Sequence, residues 1–137
     1  MIEMELTELR LDESHWNSPQ LVVLKEKNGK RKLPMYIGFF EAQALHQKLY
    51  HRNTPRPLTY DMITDMVHRL GIYIEQIIID GVKADTYYAK LVLQSPDGQT
   101  VQIDSRPSDA LNLALRHDAP IFVDAKLLSP ESDTEEQ

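Results

Sequence analysis

The stretch QLVVLKEKNGKRKLPMYIG, residues 20–38, decides the fold. Residues 20–27 and 32–37 are strand-like and flank Asn28-Gly29, a dipeptide that readily takes the positive φ values of a tight hairpin turn. Pro34 has no N–H to give to a ladder, so its strand belongs at a sheet edge or carries a bulge. Gly38 punctuates the pattern. Ala42, Leu45 and Leu49 then recur at helical spacing, which predicts a helix over residues 39–50. A hairpin leading into a helix argues for antiparallel strands with helices packed on them.

Reading outward, Ile2, Met4 and Leu6 alternate within residues 2–11 and predict an edge-type strand. Residues 51–58 hold Pro55 and Pro57 and read as a loop. The Thr59 hydroxyl can cap the next helix. Met62, Ile63, Met66, Val67 and Leu70 line one face of that helix, and Gly71 stands where a helix end wants a left-handed residue. Strands are expected over residues 72–80, 86–94 and 99–104, with Val101 and Ile103 inward and a turn at Ser95-Pro96-Asp97-Gly98. A helix over 107–117, a short buried strand over 120–123 and a helical turn within 124–128 complete the series. The predicted class is α+β, a mixed or antiparallel sheet with three main helices, in the order βββ-αα-βββ-α-β. The domain is expected over 1–128, and residues 129–137, acidic and without periodicity, are expected to be a disordered tail.

The 137 residues fit one domain, and the absence of cysteine rules out a disulfide framework or a thiolate metal site. The first residues, MIEMELTELR, carry acids where a signal peptide would carry basic residues. No apolar stretch approaches the roughly 20 residues of a membrane span. A cytoplasmic protein without membrane contact is the expectation. The net charge of −6 is unevenly spread. Residues 1–13 and 124–137 each hold five acids against one base, and the stretch between is mildly basic. The distribution shows no large basic groove, while a weak or metal-assisted contact with nucleic acid is compatible with it.

Two segments can carry chemistry. In Asp104-Ser105-Arg106-Pro107-Ser108-Asp109 a strand ends and a helix begins. Proline suits a first helical turn, and Ser105 or Ser108 can cap it. The free N–H groups of such a start favour an anion. Asp109, Asn112 and Arg116 form one polar stripe along this helix, toward which Asp104 can aim. Two carboxylates with an arginine can hold a divalent ion and a phosphate. The same residues also read as helix-dipole partners, with Asp104 paired to Arg106. In Pro55-Arg56-Pro57-Leu58-Thr59-Tyr60-Asp61, Arg56 has a backbone restricted by two prolines and suits phosphate binding. Asp61, Asp65 and His68 share a helix face that either ligates a metal or is simply solvated. Glu41 sits in a first helical turn and can supply a carboxylate from a separate element. P-loop, HExxH, GxSxG and GxGxxG signatures are absent.

Leu33-Pro34-Met35-Tyr36-Ile37-Gly38, Glu41-Ala42, Pro55-Arg56-Pro57-Leu58-Thr59-Tyr60-Asp61, Tyr87-Tyr88-Ala89, Asp104-Ser105-Arg106-Pro107-Ser108-Asp109-Ala110 and Pro120-Ile121-Phe122-Val123 resemble, in order and spacing, the bifunctional nuclease domain family. The resemblance covers roughly residues 1–128. It implies a nuclease acting on both DNA and RNA with a divalent metal, magnesium or manganese. The residues in its signature segments are Glu41, Arg56, Asp61, Asp104, Arg106 and Asp109. With Arg116, they make the candidate site: Asp104, Asp109, Glu41 and Asp61 as catalytic acids, Arg56, Arg106 and Arg116 as substrate contacts, and Asp104 and Asp109 as metal ligands. Tyr60 stands where the resemblance leads one to expect histidine, and Ser105 where it leads one to expect alanine. The accessory C-terminal motif of some longer members is not expected.

Three readings follow: a metal-dependent nuclease, a non-catalytic module binding a small ligand or partner, and an architectural set in which Arg56 and Arg106 bridge helix ends. A homo-oligomer, most simply a dimer, is expected from edge strands such as residues 2–11.

Overall fold

The computed structural model describes residues 1–128; the expected acidic tail lies outside the described residues. Strands β1 (Ile2–Arg10), β2 (Gln20–Glu26) and β3 (Lys32–Ile37) come first. Helices α1 (Phe39–Leu49) and α2 (Thr59–Arg69) follow, then β4 (Tyr73–Lys83), β5 (Thr86–Gln94), β6 (Thr100–Ser105), α3 (Pro107–His117) and β7 (Ile121–Val123). A last helical turn spans Ala125–Leu127. The class is α+β, and the element order is the one the sequence predicts.

All strands join one seven-stranded sheet in the order β3-β2-β1-β7-β4-β5-β6. Neighbours are antiparallel except β4 and β7, which run parallel. One row of side chains crosses the sheet through Met4, Ile121, Ile77 and Leu91, each the register partner of the next. These residues are buried, as are Val22, Leu24, Met35, Ile79 and Ala89. Helix α1 contacts β2, α3 lies over β4 and β5, and α2 packs on α3. Leu45 and Leu111 are fully buried where helices meet the sheet. Truncating either to alanine would cost about 2–5 kcal/mol.

Several expectations need correction. Residues 2–11 are not an edge: β1 is third in the sheet, because β7 pairs with its first residues and β2 with the other side. The edges are β3 and β6. The position of Pro34 on β3 agrees with its missing donor. Asn28-Gly29 does not take positive φ. The turn over residues 27–31 is longer than a two-residue hairpin and is closed by Glu26, whose carboxylate accepts from Arg31 N, Nε and Nη2 at 2.9, 2.9 and 3.0 Å. Val101 and Ile103 are exposed, since β6 is an outer strand and α3 covers β4 and β5. On α2, Met62, Met66 and Leu70 are exposed, and only Ile63, Val67 and Tyr60 pack partly against the core. Gly71 does take φ +72 at the end of α2. No helix among the described residues is long and apolar enough to cross a membrane.

Candidate active site

Arg106 is the single residue between β6 and α3. Pro107 excludes the helical region for the residue before it, and Arg106 accordingly sits at φ −72, ψ 146. The helix therefore starts abruptly at Pro107, and neither Ser105 nor Ser108 caps it through a side chain. Ser105 Oγ donates instead to the Arg106 carbonyl at 2.9 Å, and Ser108 is buried.

The guanidinium of Arg106 holds Asp109 with two bonds, Nε to Oδ2 at 2.9 Å and Nη2 to Oδ1 at 3.1 Å. Nη2 also donates to Glu41 Oε2 at 3.2 Å. Glu41 comes from the first turn of α1, so two helix starts share one cation. Gly38 makes this possible. A methyl group at position 38 would collide with Glu41 Oε1. The Arg106 side chain stays 66% exposed, and Nη1 has no partner among the described residues.

From α2, the Tyr60 hydroxyl donates to Asp109 Oδ1 at 2.5 Å. Burial pushes the phenol well above its ordinary range, and the adjacent Asp109 carboxylate adds to the shift. Burial alone would raise Asp109 too, but the bonds from Arg106 and Tyr60 outweigh it and hold Asp109 below the usual carboxylate value. Arg106 is shifted upward by its bond to Asp109. Tyr60 is therefore a donor here and not a base.

A second ion pair backs the first. Arg116, with only 5% of its side chain exposed, donates from Nε to Asp61 Oδ1 at 2.8 Å. Its Nη1 reaches Asn112 Oδ1 at 3.0 Å, its Nη2 reaches the Ala44 carbonyl at 3.4 Å, and its guanidinium lies 5.5 Å from the Tyr60 ring centre. Asp61 Oδ2 accepts from Leu58 N at 2.9 Å. The start of α2 is thus capped by Asp61 and not by Thr59, which is already helical. Burial raises Asp61, and the Arg116 and Leu58 bonds more than reverse this, leaving it lowered. The buried Asn112 amide ties α3 to α1 by donating to the Glu41 carbonyl at 3.1 Å and to the Ser108 carbonyl at 3.0 Å.

The structure thus brings Glu41, Arg106 and Asp109 together, and places Asp61 with Arg116 on the far side of Tyr60. Asp104 does not pair with Arg106. It stands opposite Lys90 on β5, and its charge helps raise that lysine, after the larger effect of Asp80. Asp104, Arg106 and Asp109 nevertheless line one cavity of about 420 Å³ with Tyr87 and Tyr88. Arg56 is exposed, and among the described residues no hydrogen bond or ion pair joins its side chain to these groups. Asp65 pairs with Arg69 at 3.0 Å, so Asp61, Asp65 and His68 make no joint site. The sequence reading missed Tyr60 as a partner of Asp109 and Asn112 as a tie between helices; the i to i+3 spacing of Asp109 and Asn112 was the available signal.

Glu41, Asp104 and Asp109 are hard oxygen donors of the type that suits magnesium or manganese. Among the described residues no group of three or more His, Cys, Asp or Glu side chains is placed to hold an ion. Between Glu41 and Asp109 the cation is the Arg106 guanidinium. The donor chemistry fits such an ion where substrate oxygens complete its shell, and no cage is preformed.

Residues 22–136 match the model of the bifunctional nuclease domain. An uncharacterised protein of Mycobacterium tuberculosis is 34% identical over 99% of this chain and 83% of its own length. Bifunctional nuclease 1 of Oryza sativa subsp. indica is 30% identical over 77% of this chain. Bifunctional nuclease 2 of Arabidopsis thaliana is 29% identical over the same share. The matched region is 33% of each plant protein.

Proposed function

The chain belongs to the bifunctional nuclease domain family, and we propose that it hydrolyses phosphodiester bonds in DNA and RNA where Glu41, Arg106 and Asp109 meet. The observation that carries this is Arg106. It is an exposed guanidinium held by carboxylates of two helices, beside a cavity with a further acid, Asp104. The free Nη1 of this oriented guanidinium can donate to a phosphate oxygen, and stabilises charge that grows as water adds to phosphorus.

In this reading Arg106 turns its free edge to the phosphate. Glu41 takes the proton of the attacking water through Oε1, the oxygen that Arg106 leaves, because Asp109 is held low by Arg106 and Tyr60. The P–O bond to one sugar breaks, the departing oxygen takes a proton from solvent, and Glu41 returns the water's proton to solvent. The products are a phosphomonoester and a free hydroxyl. Asp109 and Tyr60 fix the arginine, and Asp61 with Arg116 fixes the tyrosine ring. Asp104 and Asp109 are the proposed holders of a magnesium or manganese ion, which when bound would polarise the phosphoryl group.

The test is incubation of labelled single-stranded DNA and RNA with the purified protein, in magnesium, manganese or chelator. Asp104→Ala and Asp109→Ala run alongside. Cleavage by the parent and its loss in the variants supports the proposal. Variants that cut as well as the parent sink it.

One observation favours a second reading, a binding module without turnover. Tyr60, where the family resemblance leads one to expect histidine, is a phenol with a raised pKa and offers no base. A thermal shift with nucleotides or metals, without cleavage of any substrate, would decide for that reading.

A further inference from the structure

A cavity of about 460 Å³ lies against the Asp61–Arg116 pair and has no part in the chemistry above. The end of α1 and the loop over residues 50–58 form its walls, with Gln47, Lys48, His51 and Arg52 on one side and Asp61 and Arg116 at the base. Three fixed cations thus meet one carboxylate, in a chain whose net charge is −6. That carboxylate is already bound by Arg116. Lys48 and Arg52 are exposed; the charge of Lys48 helps hold Asp61 low, after the larger effects of Arg116 and Leu58, without a direct ion pair among the described residues. His51 is held at φ +53, an uncommon conformation for a residue with a side chain. The Arg52 N–H returns to the Gln47 carbonyl at 2.8 Å, which folds the loop back over the helix end. Gln47 Oε1 is buried and has no hydrogen-bond partner among the described residues. A buried acceptor in that state calls for a donor.

We propose that this cavity is a phosphate-binding subsite for one nucleotide unit. Its phosphate lies between Lys48 and Arg52, and the Gln47 amide turns out of its buried position to accept from a sugar hydroxyl or base amino group. The cations add to the positive charge that a strand contact requires, in a chain whose net charge is −6. The role of the subsite, seating a nucleotide of the strand being cut, rests on the nuclease reading. Binding of phosphate there does not. The phosphate can belong to a strand or to a free mononucleotide, and the arms of the test separate these sources.

The test compares the parent with the double variant Lys48→Ala/Arg52→Ala, with Gln47→Leu as a second variant. Anisotropy of a short labelled single-stranded oligonucleotide is measured across salt concentrations, then with inorganic phosphate, a mononucleotide or an unlabelled strand as competitor. The double variant should bind the oligonucleotide about tenfold more weakly, with a salt slope shallower by roughly 0.7 per lost phosphate contact. KM should rise and kcat hold. Gln47→Leu should weaken the mononucleotide but not inorganic phosphate. Displacement by mononucleotide at low concentration points to a free nucleotide as ligand; displacement only by another strand points to the substrate. Unchanged affinity and slope in the double variant would overturn the subsite. If the parent cleaves nothing while the double variant loses binding, the nuclease reading falls and the subsite stands. If parent and double variant bind and cleave alike, the reverse holds.

Discussion

The Tyr60 hydroxyl donates to Asp109 Oδ1 across 49 positions of sequence, joining α2 to the start of α3 beneath Arg106. The bond has opposite effects on its partners: it helps raise the phenol and helps lower the carboxylate. Tyr60→Phe should therefore cost about 1–2 kcal/mol in urea unfolding, as expected for a half-buried bond to a charged acceptor. Cleavage should survive within about tenfold, since a phenol held protonated is no base. A loss as large as that from removing Arg106 would show that the hydroxyl takes part in the reaction itself.

Gly38→Ala should separate site from scaffold. The backbone at position 38 has φ −67 and ψ 157, which alanine tolerates. The new methyl group meets only the end of the Glu41 side chain. Stability should stay within about 0.5 kcal/mol of the parent. Glu41 must swing off Arg106, and activity should fall at least about tenfold. Unfolding and cleavage assays on one preparation check both halves.

Arg116 and Arg106 should behave oppositely. Arg116→Met strands Asp61, the Asn112 amide oxygen and the Ala44 carbonyl, and should cost about 3 kcal/mol, at the low end for a buried pair because Asp61 is 41% exposed. Arg106→Ala removes an exposed pair and should cost about 1 kcal/mol or less. Equal losses in denaturant would contradict this division.

Acid sensitivity follows from the lowered carboxylates. Asp61 and Asp109 are held below the ordinary aspartate value of 3.8. Their contribution is complete above that value and is lost as pH falls through their lower folded values. His117 is lowered below 6.5, by burial first and by His68 second. Its neutral form is favoured on folding, so this contribution is complete above pH 6.5 and is lost as pH falls through the depressed folded value. His117→Gln should flatten the stability curve in that upper window and leave the acid limb in place. A curve unchanged by the substitution would contradict the assignment.

Much of the fold was legible because periodicity is local. Alternation in residues 86–94 and helical spacing in 107–117 survive as β5 and α3. The neighbours of a strand are not local. Nothing in Ile2, Met4 and Leu6 announces that β7, more than a hundred residues on, will pair with β1. Capping was misread: the Thr59 hydroxyl was expected to cap α2, but Thr59 is already helical and Asp61 caps the start by accepting from Leu58 N–H. The acids at the helix starts were recognisable from their positions, and Arg106 with Asp109 from their i to i+3 spacing. That Glu41 joins them, that Asp104 faces Lys90 and that Arg116 belongs to Asp61 depend on how three helices pack. The cavity beside Lys48 and Arg52 was invisible for the same reason, since a loop with two prolines shows its limits but not where it folds back.

Arg106 is the centre of the proposed nuclease site, and one comparison tests that role directly: cleavage of labelled single-stranded DNA and RNA by the parent and by Arg106→Ala, each with magnesium, manganese or chelator, after matched unfolding curves. The parent should cut, and a well-folded Arg106→Ala should cut at least about 100-fold more slowly, the scale of losing one transition-state donor. A variant as fast as the parent, or a parent that cuts neither substrate under any of these conditions, would contradict it.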